Sequence, residues 1–332
     1  MNNKIKNELI KRYKLIKDRK VFDINDIEYS SKNKADDKNI VIKDGSLSDV
    51  IHTFVDTLVA NFDEDELATF YNNIKTLAIE ITDFDETIRK RKYESSHKTL
   101  AYYKIATNTI YILDTSNTGI LYHELFHVST ARRVGTTSFN GFCQTNLLTS
   151  ECIGEGINEG YTQLMAERYF KDSSVGNYNV LVYLVELLEL IIGKDKMEHY
   201  YMTSDLYSLV NELKKYAAYE DICKFLSYLD YIVKHIYDTN LLRSDVKYFK
   251  KIFLFINEFL LKSYATKIAN SDIDTEEEYE KCYQEFSYIV SRSIIYADID
   301  NKRINCSFAD DEDFVKELTR TLDKTGMYLE IE

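Results

Sequence analysis

The chain has 332 residues, 45% of them hydrophobic and 29% charged, the balance of a folded protein long enough for one large core or two smaller ones. Its formal net charge of −13, with a pI near 5.1, argues against nucleic acid or an anionic membrane surface as the main partner. There is no proline and no tryptophan, so turns must be built from Gly, Asn, Asp and Ser.

The first ten residues, Met1 to Ile10, are polar and basic and lack the apolar core of a signal peptide, which makes a cytoplasmic protein the expectation. Residues 1–20 read as a basic helix and 21–45 as a polar connection, with a short strand at Ile40–Ile42 before Asp44-Gly45. A helix begins with Ser46 or Ser48 as N-cap and runs to about Asn61, its wide apolar face made by Val50, Ile51, Phe54, Val55, Leu58 and Val59. A second helix, about Asp63 to Lys75, leads into the alternating strand Leu77–Ile81. Next, Leu100–Ile105 and Thr109–Leu113 flank Ala106-Thr-Asn108 and read as a hairpin of aromatic and β-branched residues.

After this hairpin comes Gly119-Ile-Leu-Tyr-His-Glu-Leu-Phe-His-Val-Ser-Thr-Ala-Arg132. His123 and His127, four residues apart on a helix, lie on one face and can point ring nitrogens at one metal ion. Glu124 projects beside them and is the right kind of group to take a proton from a metal-bound water. At about 100° per residue, Leu121, Leu125 and Val128 form an apolar stripe roughly opposite the histidines, so the stripe rather than the histidine face is expected to be buried.

Two histidines need a third protein ligand if one position is to remain for water. The closely following histidine of the metzincin pattern is missing, since the next histidine is His199, 72 residues on, which reads as a helix-surface residue. Carboxylates remain. In Ile153-Gly-Glu-Gly-Ile-Asn-Glu-Gly-Tyr-Thr-Gln-Leu-Met-Ala-Glu-Arg-Tyr169, a helix from Asn158 onward puts Glu159 on a face with Thr162, Gln163 and Ala166. Glu159 is the leading candidate; Glu155 is its main rival, followed by Glu151 and Glu167. Five scattered cysteines (Cys143, Cys152, Cys223, Cys282, Cys306) with no C-x-x-C pair read as reduced thiols, and Cys143 as a buried or idle one.

Beyond residue 170 the pattern is helical, with helices expected over about 177–192, 206–217, 219–238, 244–268, 275–297 and 311–325. The most apolar stretch, Val180–Ile192, is interrupted by Glu186 and Glu189 and is not a membrane span. Three regions result: 1–45, a basic helix and polar extension; 46–170, the metal-binding region; and 171–332, an α-helical region packing on it.

His123-Glu-x-x-His127 followed by Asn158-Glu159-Gly160-Tyr-Thr resembles the gluzincin branch of the zincin metallopeptidases. Ala101–Ile112 is similar to the strand pair before the active-site helix in such enzymes, and Tyr178 to Tyr201 resembles the long helix after the ligand helix in bacterial members. The likeness spans roughly residues 100–215. It implies an α+β, zincin-like fold: a small N-terminal sheet with the active-site helix, then a mostly α-helical C-terminal half. It also implies Zn²⁺ on His123, His127 and Glu159, peptide-bond hydrolysis with Glu124 as general base, and a peptide or protein substrate. Tyr161 and Tyr178 are the candidates for stabilising the oxyanion, and the Thr109–Leu113 strand for binding extended substrate by strand addition.

Two departures stand out. Glu159 lies 32 residues after His127, farther than in thermolysin-like relatives, so the intervening loop is this protein's own. Where those relatives often carry an aspartate that steadies a histidine, this chain has Gln163, which accepts a hydrogen bond but brings no charge. The competing expectations are a regulatory protease with one cytosolic partner and a non-catalytic zinc-binding helical interaction protein.

Overall fold

The aromatic and β-branched hairpin becomes half of a four-stranded sheet whose order is β1-β2-β4-β3. Its strands are β1 (Val41–Ile42), β2 (Ala78–Ile81), β3 (Ala101–Lys104) and β4 (Thr109–Ile112). β1, β2 and β4 run parallel, and β3 pairs antiparallel with β4 at the edge. Ile79, Ile110 and Ile112 point into the core from this sheet. The computed structural model describes residues 41–42, 48–81, 101–112, 118–170, 178–235, 243–270, 277, 281, 295–298 and 303–306. The helices expected over 1–20 and 311–325 lie outside them. Among the described residues the protein is mixed α/β and mostly helical, with nine helices beside small sheets. No helix among them is long and apolar enough to cross a membrane.

Helices α1 (Ser48–Asn61) and α2 (Ala68–Ile74) precede β2, and α3 (Thr118–Thr130) carries the histidine motif. The predicted start of α2 at Asp63 is instead a capping turn. The Asp63 carboxylate accepts from the Glu66 N–H at 2.9 Å and Glu66 accepts from the Asp63 N–H at 3.1 Å, before the helix proper begins. Phe54 of α1 packs against Phe70 of α2 and Phe126 of α3, with ring centroids 5.8 and 5.1 Å apart. At the far end of α3, Asn73 donates to the carbonyls of Val128 and Ala131 at 2.8 and 2.6 Å, which satisfies carbonyls a helix end leaves without partners.

The expected loop between the histidine helix and the segment carrying Glu159 is a second sheet. Strands β5 (Arg132–Val134), β6 (Thr137–Asn140), β7 (Cys143–Asn146) and β8 (Cys152–Ile153) form an antiparallel meander in sequence order. It leads into α4 (Glu155–Tyr169), which starts three residues before the predicted Asn158 because Gly154, at φ 75°, takes the N-cap position. α3 is packed by α1, α2, α4, β3 and β6, so its histidine face is buried along with the Leu121–Leu125–Val128 stripe.

The described residues fall into two compact units, one built from those up to 178 together with 198–206, the other from 179–197 and those from 207 onward. Helix α5 (Asn179–Ile192) ends at Gly193, whose φ of 96° turns the chain before α6 (Lys194–Met202). The helix expected over about 177–192 is thus found as α5, and α6 is an additional helix that was not expected separately. α7 (Leu206–Leu213), α8 (Tyr219–His235) and α9 (Arg243–Ala269) follow, with Phe225 of α8 stacked on Phe259 of α9 at 4.4 Å. Residues 295–297, expected as the end of a helix over 275–297, instead lie in β9 (Ile295–Asp298), paired antiparallel with β10 (Arg303–Cys306). Ile295 and Tyr296 are strand-favouring types.

Candidate metal centre

His123 and His127 sit one turn apart on α3, and Glu159 reaches them from the second turn of α4. Their ligand-type atoms all lie within 4.8 Å of one another. The two Nε2 atoms are 3.1 Å apart; Glu159 Oε2 is 3.3 Å from His123 Nε2, and Oε1 is 3.5 Å from His127 Nε2. Ligands on a tetrahedral ion with bonds of 2.0–2.1 Å are about 3.3 Å from each other, and each imidazole nitrogen stands near that distance from the other and from one oxygen of Glu159, close enough to share one ion.

Hydrogen bonding behind the rings decides which way their lone pairs face. The Gln163 amide donates to Glu167 Oε1 at 2.8 Å, which turns its own Oε1 toward His123 Nδ1 at 3.0 Å. A carboxylate can only accept, so His123 carries its proton on Nδ1 and presents a bare Nε2. His127 Nδ1 lies 3.0 Å from Asn140 Oδ1, which also accepts from the Thr130 hydroxyl at 3.1 Å. Its Nε2 faces the same point. Two imidazole lone pairs and a carboxylate thus converge where only a cation or a proton can reconcile them.

Electrostatics agree. Burial opposes charge on His127, but the Glu159 carboxylate, with Glu124 and Asn140 adding to it, lifts its pKa to about 9. Burial would raise Glu159, yet His127 and His123 pull it well below the usual carboxylate range. Burial pushes Glu124 up, held back by His127 and His123 and by the backbone N–H of Tyr103 that hydrogen-bonds to it from β3. His123, Glu124 and His127 are 5%, 6% and 7% exposed, so these charges act in a poorly screened site.

The sequence-predicted residues separate clearly. Among the described residues the clustered acid is Glu159. Glu155 lies in the first turn of α4, Glu151 accepts from the Thr149 hydroxyl at the surface, and Glu167 is the partner of Gln163. The ring of Tyr178 stacks on His123, with centroids 5.5 Å apart and planes 15° apart. Tyr161 is fully buried between Phe142 and Tyr201, surroundings that mark a packing residue. His199 is half exposed and meets Glu66 at 3.0 Å in a surface contact. The Thr109–Ile112 strand cannot add a substrate strand, because β4 lies between β2 and β3; among the described residues the sheet's edges are β1 and β3.

The supporting roles of three residues were not foreseen from the sequence. Asn140 sits at the end of β6, whose only sign was its place near the motif helix. Asn158 accepts from the Phe142 N–H at 3.0 Å, pinning the β6–β7 turn to α4. Tyr201 donates to or accepts from the Thr162 hydroxyl at 2.7 Å and, with Asn158, fills the space where Gly141 would carry a side chain. Compared with known proteins, the chain matches no family profile, no curated protein and no solved structure.

Proposed function

We propose that this protein is a zinc-dependent peptidase of the gluzincin type, with His123, His127 and Glu159 as ligands and Glu124 as general base. The observation that carries the reading is the convergence of two bare imidazole nitrogens and a carboxylate at tetrahedral spacing, beside a buried second carboxylate. Two histidines and a glutamate with one position open are a donor set typical of catalytic zinc.

Bound there, the ion supplies Lewis acidity, lowering the pKa of a water and polarising a carbonyl. The chain supplies the rest. Glu124 takes the proton of the attacking water and hands it to the leaving amine, and its raised pKa moves toward the range where a base near neutral pH works best. Gln163 and Asn140 hold the two rings in the tautomer that bares Nε2. Tyr178, the tyrosine whose ring touches a ligand, is the candidate for donating to the developing oxyanion, a contribution worth about 3 kcal/mol. An extended peptide pairing with the edge of β3 would pass beside Glu124, which already holds the Tyr103 N–H of that strand.

The near-complete burial of His123, Glu124 and His127 favours a second reading, a metal that ties α3 to α4 without turnover. Cleavage of a peptide library by the zinc-loaded chain separates the two. Peptidase activity that falls by roughly 10²–10⁴-fold in Glu124→Gln supports the enzyme. A zinc-loaded chain that cuts nothing supports the structural metal.

A further inference from the structure

The connection between the ligand-bearing helices brings two thiols together. Cys143 opens β7 and Cys152 opens β8, and the register sets Cys152 opposite Thr145. Side chains two apart on a strand share a face, so Cys143, Thr145 and Cys152 lie on one side of the sheet, the cysteines diagonal to each other. Their sulfurs meet at 2.9 Å, and Cys143 Sγ is also 3.8 Å from the Thr145 hydroxyl. Both residues are half-buried free thiols, within reach of a small reagent, whereas Cys223 is buried on α8.

We propose that Cys143 and Cys152 form a reversible dithiol–disulfide couple, oxidised by low-molecular-weight disulfides, that clamps the β7–β8 hairpin between the two ligand helices. The hydrogen bond with Cys152, with burial added, holds the Cys143 thiol well above its ordinary pKa. One thiolate of the pair attacks one sulfur of the reagent and expels the other half as a thiolate. The second thiol then loses its proton, attacks the protein sulfur of that mixed disulfide and expels the remaining half. Two protein thiols are oxidised to one disulfide and one small disulfide is reduced to two thiols.

The position gives the bond leverage. Asn140, three residues before Cys143, holds His127, and Gly154, two residues after Cys152, starts the helix that carries Glu159. The hairpin tip between the cysteines projects outward, with Leu148 78% exposed, so closing the bond at the root leaves the tip unstrained and restricts the connection itself. Resting on the proposed metal site, a further consequence is slower metal loss from the oxidised form, because His127 and Glu159 then separate less freely.

The test treats the reduced full-length chain, under native conditions, with excess oxidised glutathione. The expected result is a mass lower by about 2 Da, a Cys143–Cys152 link in the peptide map, reversal by dithiothreitol, and a Tm higher by about 5–10 °C from closing this short loop. The Cys143→Ser/Cys152→Ser and Cys143→Ala/Cys152→Ala double variants should lose both the link and the Tm rise. Persistent single-glutathione adducts at these residues, a link to other cysteines, or no rise in Tm would each overturn the couple. Equal rates of metal stripping by a chelator from the oxidised and reduced forms would overturn the consequence for metal retention. A chain that binds no metal would defeat the peptidase reading while the link and the Tm still decide the couple.

Discussion

At the scale of single residues, function rests on which atoms carry protons. The bare Nε2 of His123 follows from a relay that begins at Glu167, passes through the Gln163 amide and ends at Nδ1, with 2.8 and 3.0 Å contacts. Removing the last acceptor frees the ring to turn and to change tautomer. Gln163→Ala and Asn140→Ala should each weaken metal binding by roughly 10–100-fold in competition titrations with a chromophoric chelator, while circular dichroism stays that of the parent. Without metal, a proton takes the place of the cation. His127, lifted to about 9 by Glu159, gains stability from its partner that is complete below its ordinary pKa of 6.5 and is lost as the pH rises through about 9. Glu124, whose carboxyl is also raised by burial, likewise loses stability with rising pH, starting from its ordinary pKa of 4.5. Glu159, held low, contributes above its ordinary pKa of 4.5 and loses that contribution only as the pH falls below it. Urea unfolding of the chelator-treated chain should therefore show stability falling between pH 6.5 and 9, with His127 accounting for about 3 kcal/mol. A flat profile over that range would remove the proton from the cradle.

At the scale of elements, the site is two helices joined by a small sheet. Gly141 marks the joint. Its φ of 51° disfavours any other residue, and an added Cβ would come within 2.3 Å of Asn158 Oδ1 and 2.4 Å of the Tyr201 ring. Gly141→Ala should displace Asn158 from the Phe142 N–H and cost about 2–3 kcal/mol of stability, read as a lower midpoint in urea. The same joint explains what the sequence disclosed and what it hid. α3 was legible because paired histidines within an apolar helical period leave few alternatives, and α9 because its pattern runs through 27 residues. The β5–β8 sheet was hidden because its strands are two to four residues long and mostly polar, with Phe139 their one large buried apolar side chain, so no period-two signal survives. Asn140 and the Cys143–Cys152 contact were hidden with it, since both depend on register. Glu159 led Glu155, Glu151 and Glu167 as the candidate through its place in Asn158-Glu159-Gly160, but the turn at Gly154 that sets the start of the helix at Glu155 could not be read beforehand.

At the scale of the whole molecule, the proposed metal binding would be coupled to folding. The three proposed ligands come from helices separated by a sheet, so an ion bound there would stabilise the unit containing residues 118–170 by about 4 kcal/mol at a thousandfold excess over its dissociation constant. Chelation should lower Tm and restore the descending pH profile of the metal-free chain. Proton release on metal uptake near neutral pH should accompany the change, because an ion there would displace the proton that Glu159 helps to hold on His127. The most direct test is elemental analysis of three purified chains. The account predicts one zinc per chain in the parent and in Glu124→Gln, and much less in Glu159→Ala that is still folded by circular dichroism. A Glu159→Ala chain that keeps its full zinc would contradict it.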